Sequence, residues 1–232
     1  MIMTNMNKKV ETTEKQYQDC LDYVRTGGHE KLGVMSSFAW YDDPKRLVFT
    51  LSRYKFVAKM FSGRENVLEV GCADAFATRI VAQDVQNLTA VDFDPVFIED
   101  AKARMSSKWS FNCFQHDMLK GPVEGQFDGA YSLDVLEHIQ PEDEDLFLKN
   151  IALSLKSNGA AIVGMPSLES QEYASKLSKE GHVNCKTMPD LRKKMSEHFE
   201  NVFMFSMNDE VVHTGFHKMA HYIIALGCGR KY

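Results

Sequence analysis

Residues 66–81 read NVLEVGCADAFATRIV. Asn66-Val67-Leu68-Glu69-Val70 is a short apolar run that stops at a glycine, as a buried strand does. From Ala75 the apolar spacing becomes helical, which makes the stretch a strand, a tight turn and a helix start. Gly71 is the one glycine of the turn, and Ala73 and Ala75 stand where further glycines would ease it.

The same rhythm continues outward. Strands are expected at 66–70, 88–92, 110–115, 127–133, 160–165, 202–207 and 220–226, with helices at 75–85, 95–106, 141–156 and within 168–199. Asp94-Pro95 supplies an N-cap followed by proline at the first helical position. Strands alternating with helices pair in parallel, with helices on both faces. The connection NDEVVHTGFHKM between the last two strands is too short for a crossover helix, so the final strand is expected to be antiparallel. The predicted fold is therefore α/β: a doubly wound sheet, mostly parallel, with one antiparallel strand near the C-terminal end. Before it, LVFTLSRYKFVAKMF reads as a helix stopped near Gly63, which predicts an N-terminal helical extension or lid over 1–62 and a core over 63–232. WYDDPKR, within that extension, mixes aromatics with both charges and suits an aromatic wall beside Lys45 or Arg46.

With 232 residues, 44% hydrophobic and 25% charged, the chain can bury one sizeable core. Its net charge of −5 argues against a nucleic-acid partner. No apolar stretch approaches the ~20 residues that span a bilayer, and residues 1–18 lack the apolar core of a secretory signal, which makes a cytoplasmic location the expectation. The five cysteines form no CxxC pair, and they fit buried thiols better than a disulfide framework or a zinc site. A two-fold homodimer is the common assembly for such a chain.

A dinucleotide turn needs G-x-G-x-x-G, whose last glycine allows close helix–strand packing. Here Ala73 and Phe76 occupy the later positions, and NAD fits poorly. Glu69-Val70-Gly71-Cys72-Ala73-Asp74 instead resembles the E-x-G-x-G-x-G turn of class I S-adenosylmethionine-dependent methyltransferases. AVDFDP with Asp92, QHDML with Asp117-Met118, and FDGAYSLDVLEHI (127–139) resemble that family's later signatures in the right order. D-V-L-E-H is closest to its small-molecule, ubiquinone-biosynthesis-like branch.

The resemblance implies a Rossmann-like fold that binds S-adenosyl-L-methionine and releases S-adenosyl-L-homocysteine, with no resident metal. It also implies the cofactor contacts. Glu69, Gly71, Cys72 and Ala73 would line the amino-acid end, Asp92 and Phe93 the ribose side, Asp117 and Met118 the adenine, and Ser132 and Asp134 the reacting end. Arg53 would pair with the cofactor carboxylate or else lie on a solvated helix face. Alanine at 73 and 75 adds one methyl, which a turn at negative φ accepts, so binding is expected to survive.

Three loops on the acceptor side carry His138 (beside Glu137), His182 and His213, and histidine suits a base near neutral pH. His182, in the polar insert GHVNC, is the favoured base. His213, His217 and His221 would form a metal stripe only on a helix, and Glu137-His138 is a second candidate metal pair. The expected activity is methyl transfer to an oxygen or nitrogen of a small molecule such as a sugar or another biosynthetic intermediate. A protein acceptor, and a non-catalytic subunit or sensor, are the alternatives.

Overall fold

The computed structural model describes residues 11–232; residues 1–10, and with them most of the segment read for a secretory signal and the start of the 1–62 extension, lie outside the described residues. The chain divides into two compact units, the first ending at Leu32 and the second running from Gly33 to Tyr232. In the first, helix α1 (Gln18–Gly27) ends at Gly28, whose positive φ of 76° lets its N–H close on Val24 O at 2.8 Å.

The second unit holds α2 (Val34–Asp42), α3 (Lys45–Met60), β1 (Asn66–Val70), α4 (Thr78–Ala82), β2 (Asn87–Asp92), α5 (Pro95–Ala103), β3 (Asn112–Gln115), β4 (Phe127–Leu133), α6 (Glu144–Ser154), β5 (Leu155–Pro166), α7 (Lys176–Gly181), α8 (Met188–His198), β6 (Phe199–Asn208), β7 (Val211–His213) and β8 (Tyr222–Arg230). The strand order is β3-β2-β1-β4-β5-β8-β6-β7. Pairing is parallel from β3 to β5, and β8 runs antiparallel to both of its neighbours, which is the reversed strand expected near the C-terminus. The sequence reading missed β7, a short hairpin arm on β6 with Asp209 at φ 50° in its turn.

Alternation sorts the side chains. Leu68 and Val70 face α6 and α8, packing with Phe147, Ile151, Leu191 and Met195. Val67 faces the other way, against Val57 of α3, Phe61 just after it and Val81 of α4. Each fully buried aliphatic side chain contributes about 1.5–3 kcal/mol, so this two-sided burial is what fixes β1 at the centre of the sheet.

Element ends departed most from the sequence reading around the first turn. The helix expected from 75 begins only at Thr78, because Ala73 and Ala75 hold positive φ of 45° and 52°. The expectation that these alanines sit at negative φ is thus overturned. The chain must reverse within a few residues of Val70 while Gly71 N and Cys72 N both bond Val91 O (2.8 and 3.1 Å), and only left-handed residues close so short a turn.

Candidate functional site

The strand order reverses between β1 and β4, and in doubly wound sheets ligands bind outside the carboxyl ends of the strands at that point. Gly71 occupies this turn at φ +78°, and a Cβ there would lie 2.3 Å from Val135 Cγ2. Of the three small residues in the turn, the one kept as glycine is the one whose side chain would collide with the β4 loop. Asp92, 7% exposed, ties the turn to the next loop: Oδ2 accepts from Ala73 N at 2.9 Å and Oδ1 from Asp94 N at 3.0 Å. Asp94 itself caps α5 through Val96 N at 2.9 Å, the capping role its sequence context favours.

Beyond Asp92 an open cleft of about 390 Å³ is lined by Phe93, Gln115, His116, Asp117 and Lys120. Phe93 is 69% exposed, with its ring free, whereas Met118 is buried and packs into the core. Asp117 accepts from Leu119 N at 3.0 Å and lies 3.5 Å from Lys120. Cys72 is buried beside Ala90, Ile98 and Cys113, facing the core rather than the cleft.

Glu69 does not face the cleft either. Its carboxylate is enclosed, accepting from the hydroxyls of Tyr54 (2.6 Å), Thr78 (2.7 Å) and Tyr131 (2.8 Å). Burial raises its pKa to about 7 against the opposing pull of these donors. The side chain joins α3, β1, α4 and β4 and leaves no surface for a ligand. Sequence reasoning missed its partners because Tyr131 meets Glu69 only through the β1–β4 register, and Tyr54 only through packing.

Arg53 is neither on a solvated face nor free for a ligand. It bonds both oxygens of Asp134, at 2.8 and 2.6 Å, and lies 3.7 Å from the centre of the Tyr222 ring. Asp134 sits at φ 58° at the end of β4, with its side chain one-third exposed, so the pair fixes a strained carboxylate at the mouth of the site. Ser132 is fully buried, and its Oγ has no hydrogen-bond partner among the described residues.

On the far side the structure brings three of the expected residues together. Glu137, His138 and His182 present ligand atoms within 4.8 Å of one another. His138 Nδ1 lies 2.8 Å from Gly181 O and His182 Nδ1 2.9 Å from Gln171 Oε1. Both partners are acceptors, so each Nδ1 carries the proton and each Nε2 keeps a lone pair. Glu137 is buried with Oε2 unpartnered among the described residues, and burial, then the Asp134 charge, raises its pKa well above the carboxylate range. Burial and the neighbouring His138 lower that of His182. Such a cluster can take up a proton or hold a divalent cation.

His213 stays apart. Its Nε2 lies 2.8 Å from Asn208 Oδ1 and its Nδ1 accepts from Gly215 N at 2.9 Å, so the β6–β7 hairpin uses both ring nitrogens. His213 on β7, His217 in a single 3-10 turn and His221 just before β8 share no helix, and the metal stripe does not form.

Residues 67–159 match the family model described as "Methyltransferase domain". Over that stretch the chain is similar to a methyltransferase domain. Its sequence is 29% identical over 136 residues to the mitochondrial ubiquinone biosynthesis O-methyltransferase of Schizosaccharomyces pombe, covering 53% of this chain and 48% of that protein. It is 34% identical over 121 residues to a highly reducing polyketide synthase of Penicillium decumbens, covering 47% of this chain and 4% of that one. The chain thus spans about half the length, or much less, of these curated relatives. Among solved structures, the N-methyltransferase NodS of Bradyrhizobium japonicum, crystallised with S-adenosyl-L-homocysteine, superposes with a TM-score of 0.59 at 19% identity over 82% of this chain and 90% of that one. An S-adenosylmethionine-dependent methyltransferase of Clostridium acetobutylicum gives 0.65 at 14% identity over 84% and 98%. The matched residues run from β1 into β5, and so include the turn, Asp92, Asp117 and the Asp134–His138 segment. His182 and Arg53 lie outside them.

Proposed function

We propose that this chain is an S-adenosylmethionine-dependent methyltransferase acting on an oxygen or nitrogen of a small molecule. The observation that carries the reading is the turn after β1. Its one glycine is held against Val135, and Asp92 spans from it to the loop after β2. A tight turn at the point where strand order reverses, leading to a cleft walled by an exposed aromatic ring and a carboxylate, fits a nucleoside with a short amino-acid arm.

When bound, the cofactor supplies a methyl group on a positively charged sulfur, a good leaving group for in-line displacement. The chain's own residues do the rest. Asp92, which fixes the turn through Ala73 N, would hold the ribose side of the cofactor, and Phe93 and Asp117 would flank the base. Glu69 acts through the turn, fixing its two ends to α3 and β4. On the acceptor side, His182 is neutral near pH 7 and holds a lone pair on Nε2, positioned to receive a hydroxyl or ammonium proton.

The acidic balance of the chain supports a small acceptor over nucleic acid. The described residues contain no helix long and apolar enough to cross a membrane. One relative carries the description mitochondrial, so that similarity lends no support to a cytoplasmic address.

The test is calorimetry of S-adenosyl-L-homocysteine against wild type and Asp92→Ala, followed by an acceptor screen with His182→Ala. Binding that the Asp92 substitution abolishes supports the reading. Absence of binding to wild type refutes it.

A further inference from the structure

A second group of metal-ligating side chains lies between α6 and α8, separate from the Glu137–His138–His182 cluster. Asp145 stands in the first turn of α6, and Glu197 and His198 close α8. Their ligand atoms lie within 4.8 Å of one another. A divalent cation held at about 2.0–2.2 Å by imidazole nitrogen and carboxylate oxygen needs its ligand atoms about 3–4 Å apart. Small rotations of the two exposed acids, 62% and 43% exposed, supply that spacing. The helix α8, 11 residues or about 16 Å long, separates this group from the segment that carries His182.

His198 decides what the group can hold. Its ring is buried, only 3% exposed, and Nδ1 is hydrogen-bonded to the Tyr232 hydroxyl. Nε2 lies 3.2 Å from Asp145 Oδ1, yet has no partner with hydrogen-bond geometry among the described residues. Histidine is mostly neutral at pH 7, so one ring nitrogen carries the single proton. The tautomer with the proton on Nε2 would leave that N–H unspent. With Nδ1–H donated to Tyr232, Nε2 turns a lone pair toward a carboxylate oxygen, and the two repel unless a cation joins them. A ring fixed through one nitrogen and open at the other is how imidazole ligates a metal.

A positive charge already stands beside the two acids. Lys194 Nζ, one turn earlier on α8, lies 2.7 Å from Glu197 Oε2 and 3.9 Å from Asp145 Oδ1. It marks where both carboxylates direct their charge, but it makes no hydrogen bond to Nε2 and leaves the imidazole out of the pairing. Its flexible stem lets it swing into solvent.

We propose that Asp145, Glu197 and His198 form a binding site for a divalent transition-metal ion, which displaces the Lys194 ammonium and clamps the start of α6 to the end of α8. One imidazole and two carboxylates suit Zn²⁺ or Mn²⁺, with water in the remaining positions. The helix α6 follows the Glu137–His138 segment and α8 follows the His182 insert, so the ion braces the two helices that these segments enter. Its role is in the fold rather than in methyl transfer.

The test is calorimetry of Zn²⁺ against the full chain carrying His182→Ala, which removes a ligand of the other cluster. One ion per chain should bind. Adding Asp145→Asn or Glu197→Gln, isosteric changes at exposed positions, should weaken binding by about ten-fold or more. Adding Lys194→Met should tighten it by about two- to five-fold, because a competing charge is gone. Zn²⁺ should also raise the melting temperature of the His182→Ala protein, and raise it less when Glu197→Gln is added; melts without metal check that each variant folds. Absence of binding, binding that either carboxamide leaves unchanged, or weakening by Lys194→Met overturns the proposal.

Discussion

Replacing Ala73 with glycine should make the protein more stable, and replacing Gly71 with alanine should make it much less so. Ala73 holds φ 45° and Ala75 φ 52°, a conformation that costs a side-chain-bearing residue about 1–2 kcal/mol. Glycine removes that strain but enlarges the conformational freedom of the unfolded chain, at a cost of about 0.4–1 kcal/mol. For the half-buried Ala73 the net gain is about 0.5–1 kcal/mol, or roughly 1–4 °C in melting temperature for a chain of this size. Ala75 is only 5% exposed, and loss of its packed methyl, about 0.8 kcal/mol, cancels the gain. Gly71→Ala adds left-handed strain to a Cβ placed 2.3 Å from Val135 Cγ2; with overpacking at about 1–3 kcal/mol the net loss is about 2–4 kcal/mol. Urea unfolding of the ligand-free protein, followed by circular dichroism, measures all three. Destabilisation by Ala73→Gly, or a neutral Gly71→Ala, would refute the strain argument.

Three further outcomes follow from the same site. Glu69 has a folded pKa of about 7 against an ordinary 4.5, so the folded state binds its proton more tightly and the associated stability is lost as pH rises from about 4.5 to 7; wild type should lose about 3 kcal/mol relative to Glu69→Gln across that window, and parallel pH profiles would count against it. Arg53→Met leaves Asp134 unpaired at positive φ and should cost about 2 kcal/mol, below the range for fully buried pairs because Asp134 is one-third exposed; an unchanged urea midpoint would show the pair to be idle. His182→Ala should lower turnover by about a hundred-fold or more without changing S-adenosyl-L-homocysteine affinity, and the wild-type rate should fall on the acid side of the ordinary histidine pKa of 6.5. Retained turnover in the variant removes His182 as base, and a loss on EDTA treatment that Mn²⁺ restores assigns the Glu137–His138–His182 cluster to a cation instead.

Local order along the chain carried most of the fold. Apolar runs of period 2 and 3.6 are written in neighbouring residues, and so are the Asp94-Pro95 cap, the strand–Gly71–helix turn and the helix-free connection that forces β8 to reverse. The segment from Asp134 to His138 was legible for the same reason, as one continuous motif at a strand end. What the sequence could not carry was pairing at a distance. Whether Arg53 meets solvent, ligand or Asp134 depends on how α3 lies on the sheet. Whether Glu69 lines a cleft or sits among three hydroxyls depends on the register that sets it beside Tyr131. His182 joined His138 because the insert folds back onto Glu137 O through Val183 N and Asn184 N at 2.8 and 3.0 Å, whereas His213 was captured by its own hairpin. The backbone sign at Ala73 and Ala75 was decided by closure of the turn onto Val91, since alanine's own preference runs the other way and only the bonds of the surrounding sheet outweigh it.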